Sequence, residues 1–243
     1  MSLSELCDLH CHYVPGVDDG VRSLDEGRQL CLGLQSLGYA TVVATPHIRA
    51  GMFDNDKAAL SEAYAAFVAA VGSESGMPAT GLAAEHFCDD MFFELLERGQ
   101  ALPYPGGHAA LVEFPPERLP LRIAEQFFRM QVRGVRPVIA HPERYAPIWK
   151  SSEPLENLVD GGALALLDLM ALSGKYGRRP LRAAEQLLEA GLYYAACSDS
   201  HKPDDVELVA RSIERLVELV GEDGAQLLLA EHPRRILDGT VQD

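Results

Sequence analysis

Short apolar runs alternate along the whole chain with longer segments whose apolar positions recur every three to four residues. Residues 6–9 (LCDL) open the pattern. A helical period follows over 23–37, where Ser23 with Glu26 three residues later reads as a capping box and Gly38 as the stop. Residues 39–45 (YATVVAT) are rich in β-branched side chains and short enough for a buried strand. A second helix is expected over 56–71, running into a loop at 72–76. The alternation then repeats: a weak strand at 80–85 before an amphipathic 89–98, a strand at 109–114 (AALVEF) before a helix at 119–133, and 135–140 (VRPVIA) before 153–160. An apolar run at 163–169 precedes 180–190, and 193–197 (YYAAC) precedes 204–220, with 224–230 as a last short helix.

These are seven strand–helix units with no linker, repeat or composition break between them. Uniform alternation predicts a parallel α/β sheet with helices outside it, and strands buried on both faces read as continuous apolar runs. At 243 residues the pattern fits a single domain, 1–243, folded as a closed β/α barrel of seven irregular units, with an open doubly wound sheet as the alternative.

Composition narrows the function. Hydrophobic residues at 47% and charged residues at 23% exclude wholesale disorder. The 21 Lys+Arg against 36 Asp+Glu give a net charge of −15, and no basic run stands out, which argues against nucleic acid or an anionic membrane as partner. No apolar stretch approaches the roughly 18–20 residues needed to cross a bilayer, and residues 1–5 lack the basic start and apolar stretch of a signal peptide. The five cysteines are an odd number without CxxC spacing, so buried, reduced thiols in a cytoplasmic protein are expected rather than a disulfide framework.

Chemistry concentrates where the predicted strands end, the rim at which parallel α/β folds carry their active sites. The first strand ends in Asp8-Leu9-His10-Cys11-His12, followed by Asp18-Asp19-Gly20; the next ends in Thr45-Pro46-His47. Later ones end in Glu85, Glu113, His141-Pro142-Glu143-Arg144 and Ser198-Asp199-Ser200-His201. HxH at a strand end puts both imidazoles on one face, but alone such a pair is commonly coincidental. Five of the eight histidines at one rim, joined by Asp19, Glu85, Glu113 and Asp199, outweigh coincidence. Mixed nitrogen and carboxylate donors suit Mn, Fe or Zn better than Ca or Mg. Nine such groups exceed the capacity of one ion and suffice for two or three.

Together DLHCH, VPGVDDG, TPHIRAGMF, Glu85, LVEFP, VIAHPERY and CSDSH resemble the PHP (polymerase and histidinol phosphatase) superfamily. They resemble more closely its bacterial protein-tyrosine phosphatases from capsule and exopolysaccharide operons. The likeness runs from about Cys7 to the terminal HPRRIL, and the DDG, TPH, EFP and HPER segments are specific to that branch. It implies a distorted (β/α)7 barrel of the PHP type and a trinuclear site, most often Mn, with Fe or Zn also used. Carried over by position, His10, His12, Glu85 and Asp199 hold one ion. Glu85 bridges to a second with Glu113 and His141, and Asp19, His47 and His201 hold the third. Asp18 is assigned to shaping its loop. Arg144 matches the arginine of HPER, which forks onto phosphate. Arg49 is a second candidate, with a plain surface role as the competing reading.

The implied activity is hydrolysis of phosphotyrosine in protein by metal-activated hydroxide. The implied partner is the tyrosine-rich tail of a bacterial autokinase controlling capsular or exopolysaccharide synthesis. Hydrolysis of small phosphomonoesters such as histidinol phosphate is the alternative; a regulatory module with structural metals is a third reading, which Arg144 disfavours. The absences agree. Six positions after the cysteines stand Tyr13, Val17, Leu37, Glu94 and Pro203, so there is no C-x5-R loop; GxSxG and Walker loops are also missing. None of the four lysines is placed to bridge metals as in many amidohydrolases.

Plainer roles are expected elsewhere. His86 should point away from the ligands as a structural residue, His108 should lie in a loop and His232 in a solvent-facing turn. Cys11 and Cys197 should point away from the site, and Met91-Phe92-Phe93 should be core. Met52-Phe53, beside His47, is either core or the border of an aromatic substrate. Two departures from the family pattern stand out. Asp168 ends the sixth strand where relatives carry small or amide residues, as an extra acid, a substitute ligand or a helix cap. Residues 202–205 lack an arginine that some relatives place after the last histidine, leaving the second phosphate-binding group open.

Overall fold

The structure, a computed structural model, describes residues 3–72 and 74–241. Met1 and Ser2 of the N-terminal segment, Ser73 of the expected 72–76 loop, and Gln242 and Asp243 lie outside the described residues. Among the described residues the strands are β1 (Leu6–Cys11), β2 (Tyr39–Ala44), β3 (His47–Ile48), β4 (Ala79–Leu82), β5 (Glu85–Phe87), β6 (Ala109–Glu113), β7 (Arg136–Ala140), β8 (Leu164–Asp168) and β9 (Tyr193–Cys197). The helices are α1 (Leu24–Ser36), α2 (Lys57–Val71), α3 (Asp90–Glu97), α4 (Ile123–Val132), α5 (Glu153–Asp160), α6 (Arg178–Glu189), α7 (Asp205–Gln226) and α8 (His232–Asp238).

All strand pairs are parallel. They form a sheet ordered β1-β2-β4 and another ordered β3-β5-β6-β7-β8-β9. The expected strands at 39–45 and 80–85 are each broken in two. Pro46, which has no N–H to give a ladder, separates β2 from β3, and Ala83-Ala84 separates β4 from β5; each chain thus passes from one sheet to the other. Across the opposite junction, Asp199 N–H donates to His10 O and His12 N–H to Ser200 O, both at 2.9 Å, and Cys11 bridges Ser200 in parallel. Seven strand positions therefore surround one axis, as the barrel reading requires.

Alternation sorts the side chains. Cys7, Leu9, Val43, Leu111, Val138, Ala140, Leu166 and Ala195 form one buried apolar cluster inside the ring. Leu6, Val42, Val112, Ile139 and Leu167 join the larger cluster beneath the helices. A bulge in β1 interrupts this order: between the pairs Asp8–Val42 and Cys11–Ala44, two residues, Leu9 and His10, oppose one, Val43. Past it Cys11 belongs to the outer cluster, and His10 and His12 take the mouth.

At the α1 start Ser23 Oγ accepts from Glu26 N at 3.2 Å, while the Glu26 carboxylate accepts from Arg22 N at 2.7 Å, one residue earlier than a standard capping box. α4 starts at Ile123 rather than 119, after Arg122 at φ 57. The expected break after 220 is a kink at Gly221 (φ 76) inside α7, and 224–230 is the end of α7 running into a π-helical turn. His232 corrects the expectation of a solvent-facing turn. It opens α8, half-buried, with Nδ1 2.7 Å from Tyr194 O and its ring stacked on Tyr194. Of the aromatic stretch in α3, Phe92 is core, Phe93 is half-buried against it and Met91 is exposed. No described helix is long and apolar enough to cross a membrane.

Candidate active site

Glu85, at the start of β5, sits among four imidazoles. Its Oε2 lies 3.0 Å from His10 Nε2, 3.5 Å from His12 Nε2 and 3.2 Å from His47 Nδ1; its Oε1 lies 2.9 Å from His141 Nε2. Asp199 Oδ1 is 3.2 Å from His10 Nε2 and 3.4 Å from His12 Nε2, which are 3.1 Å from each other. Asp19 Oδ1 lies 3.5 Å from His47 Nε2 and 3.6 Å from His201 Nε2. Glu113 comes within 4.8 Å of His47 and Glu85, and His141 within 4.8 Å of His10 and Asp199. All nine predicted donors therefore converge on one centre. Glu113 comes within reach of His47 as well as Glu85, while His141 meets Glu85 at 2.9 Å and shares a cleft with Glu113.

Electrostatics set the protonation pattern. Burial alone would lift the Glu85 and Asp199 carboxyls, yet the neighbouring imidazoles, and for Asp199 also Arg144, hold both well below the usual range. Glu113, desolvated and beside Glu85, is pushed up to about 8. Burial and Arg144 together push His141 down to about 4, so its ring is neutral and has a lone pair to give.

The supports are local. His12 Nδ1 meets Asp18 Oδ2 at 2.7 Å, and the same oxygen accepts from His47 N at 3.1 Å. Asp18 thus shapes its loop, as expected, and also orients His12, which the sequence reading missed. Asn55, likewise missed, ties His47 O to Val17 O through its amide, at 2.8 Å each. Phe53 stacks on His47 with ring centroids 5.0 Å apart. His201 Nδ1 lies 2.9 Å from Asp199 O, leaving Nε2 toward Asp19. His141 (φ 34) and Asp199 (φ 47) both hold left-handed backbone at strand ends, a strained conformation for non-glycine residues that functional sites retain. His86 is structural: its Nδ1 meets Leu111 O and its Nε2 accepts from Leu102 N. His108 lies in a loop, and Cys11 and Cys197 point their sulfurs at backbone carbonyls away from the centre.

The donor set fits divalent metal. Ligands about 2.1 Å from an ion stand roughly 3.0–3.4 Å apart in octahedral or tetrahedral array. The contacts among His10, His12, Glu85 and Asp199 span 3.0 to 3.5 Å. Hydrogen bonding accounts for only part of this crowding, because Asp199 Oδ1, His47 Nδ1 and Glu113 Oε2 are buried without a hydrogen-bond partner among the described residues.

Beside the centre, Arg144 Nη1 donates to Asp199 Oδ2 at 2.5 Å and reaches Asp168 Oδ2 at 3.5 Å, with its guanidinium over the Tyr176 ring at 4.5 Å. Asp168, which the sequence left open, caps the following turn through Met170 N at 2.9 Å. It is an extra acid behind Arg144, and burial and Asp199 push its carboxyl up to about 6. Arg49 stands over Phe87 at 4.0 Å with Nη1 3.9 Å from Glu113. A cleft of about 220 Å³ opens here, with Glu113, His141 and Arg144 as its floor and Pro116, Trp149 and Tyr176 as walls. These walls lie in loops and carry no periodic sequence signal.

A profile for CpsB/CapC, described as capsular polysaccharide synthesis, matches residues 6–238. The chain belongs to this family. Its relatives include the tyrosine-protein phosphatase YwqE of Bacillus subtilis, 32% identical over 200 residues, 81% of this chain and 77% of YwqE. The tyrosine-protein phosphatase CpsB of Streptococcus pneumoniae is 25% identical over 240 residues, 96% of this chain and 98% of CpsB. A crystal structure from the description of YwqE and CpsB as unique metal-dependent tyrosine phosphatases superposes with a TM-score of 0.90 at 26% identity, covering 98% of this chain and 96% of that one. An organophosphorus hydrolase from Deinococcus radiodurans, at TM-score 0.57 and 15% identity over 97% of this chain and 93% of its own, shares the fold.

Proposed function

We propose that this CpsB/CapC chain is one phosphoesterase domain, a cytoplasmic metal-dependent protein-tyrosine phosphatase. The single observation that carries the reading is the juxtaposition of nine metal-type donors with Arg144 at the floor of an aromatic-walled cleft. His10, His12, Glu85 and Asp199 would hold one ion, Glu85 with Glu113 and His141 a second, and Asp19, His47 and His201 a third; Mn is favoured, with Fe or Zn as alternatives. Bound there, the ions would supply positive charge for the phosphoryl oxygens and acidify water near neutral pH, giving the hydroxide nucleophile.

The chain's own groups do the rest. Arg144 keeps Nη1 on Asp199, which leaves Nε and Nη2 to donate to a phosphoryl oxygen. Arg49, tied loosely to Glu113, is the second candidate for that role. Pro116, Trp149 and Tyr176 offer flat apolar surface to the tyrosyl ring and shed water from the floor. A phenol leaving group, pKa about 10, needs less proton donation than an alkoxide, which favours phosphotyrosine over histidinol phosphate. The names of the relatives support the same substrate class, and the capsular family supports a tyrosine-kinase tail of a capsule or exopolysaccharide system as partner. The test is purified, Mn-loaded protein on a phosphotyrosine peptide, histidinol phosphate and an aryl phosphate. Faster turnover of the peptide supports the reading; turnover of histidinol phosphate at least as fast overturns it.

A further inference from the structure

The catalytic cleft does not end at Trp149. The indole also lines a larger cavity of about 530 Å³, bounded by Lys150 and by Arg179 and Arg182 of α6. The two arginines are three residues apart and share a helix face; the Arg179 guanidinium lies 5.6 Å from the indole centroid. All three cations are exposed. Arg28, Arg129, Arg211 and Arg215 are each paired with carboxylates. Among the described residues no carboxylate pairs with Lys150, Arg179 or Arg182, although one acid, Glu117, lines the same groove. In a chain of net charge −15, such a groove is a local reversal of sign. It is also rigidly placed, because α6 packs on the turn Pro142–Arg144 that carries the phosphate-binding arginine.

The geometry points to this groove as the seat of acidic residues that flank the phosphotyrosine in the substrate polypeptide, an inference that rests on the phosphotyrosine reading. With the ring between Trp149 and Tyr176, the continuing chain crosses the indole edge and brings Asp or Glu side chains onto Arg179, Arg182 and Lys150. A nucleic acid fits poorly, since a chain of net charge −15 repels a long polyanion and offers only three cations here. A short acidic peptide needs only the local field. Phosphotyrosine peptides with neutral flanks should enter the cleft without this contact.

The test compares Mn-loaded wild type with an Arg179→Glu/Arg182→Glu variant on two phosphotyrosine peptides, one flanked by Asp and Glu and one by Ser, with para-nitrophenyl phosphate as control. Wild type should prefer the acidic peptide by roughly tenfold in kcat/KM, through KM. The variant should lose that preference while kcat and aryl phosphate hydrolysis stay unchanged. Trp149, the one tryptophan in the chain, provides a second readout. Its fluorescence should titrate with the acidic peptide carrying no phosphate, more weakly in the variant and at high salt. A preference that survives in the variant, or an equal Trp149 response to acidic and neutral peptides, overturns the inference. If no phosphotyrosine peptide is turned over while another phosphomonoester is, the phosphotyrosine reading fails and the fluorescence titration alone decides the groove.

Discussion

Arg144 and Asp199 are joined at 2.5 Å through Nη1 and Oδ2, while the other oxygen of the same carboxylate stands 3.2 and 3.4 Å from the His10 and His12 rings. One buried carboxylate therefore fixes the distance between the guanidinium and the imidazole cluster. Asp199 holds φ 47 in doing so. The two residues should fail differently when replaced.

Arg144→Ala removes the proposed phosphoryl-binding donor but none of the nine metal-type donors. It should keep its metal content by elemental analysis and lose roughly 10²–10³ in kcat, the range for one preorganised oxyanion donor. Asp199→Asn should lose metal as well as activity. An Arg144→Ala protein emptied of metal would show that the arginine is needed to build the centre.

Chelation should abolish turnover and leave the fold. The apolar clusters inside and outside the ring contain none of the nine donors, so packing does not depend on the ions. A ligand at about a hundred times its Kd adds about 2.7 kcal/mol, which for a domain of this size is roughly 5–10 °C in Tm. Far-UV circular dichroism should be unchanged after EDTA while the melting transition drops by that amount and recovers with Mn. A chelator-resistant activity would sink the metal-dependent reading.

The cleft walls should act on binding alone. Trp149→Ala removes indole surface from the edge of the cleft without touching its floor. KM for phosphotyrosine should rise about tenfold, near 1.4 kcal/mol of lost ring contact, with kcat and metal content retained. A proportional fall in kcat with KM unmoved would place Trp149 outside the binding surface.

The strand positions were legible because strands covered on both faces must be apolar, and the donors were legible because such residue types seldom gather at strand ends by chance. What escaped depends on contacts between distant segments. Thr45-Pro46 looks like the end of a strand, yet the chain re-pairs at His47 with Glu85 of the second sheet. The β1 bulge that moves Cys11 outward is set by pairing with β2. α8 was hidden because Glu231-His232-Pro233 reads as a turn, although proline is tolerated in a first helical turn. Trp149 and Tyr176 come to line one cleft with Arg144 only once two loops are folded.

The buried thiols give a prediction about alkaline stability. All five cysteines are free and buried. Burial, aided by nearby carboxylates, pushes Cys7, Cys31 and Cys88 up to about 12 and holds Cys11 and Cys197 well above the usual thiol range. An unfolded thiol titrates near 8.5. Above that pH the unfolded chain binds fewer protons than the folded one, so the slope of stability with pH is negative. The contribution is complete below about pH 8.5 and is lost as pH rises toward 12, at up to about 1.4 kcal/mol per pH unit for each thiol. Urea midpoints of the EDTA-treated protein should therefore fall between pH 7.5 and 10, and Cys31→Ala should fall less steeply while starting lower because of its cavity. Folded protein at pH 8 should leave its thiols unlabelled by a disulfide reagent and keep full activity, as hydrolysis without a cysteine nucleophile requires. A flat midpoint between pH 7.5 and 10, or rapid labelling of the folded chain, would contradict the burial assigned to these sulfurs.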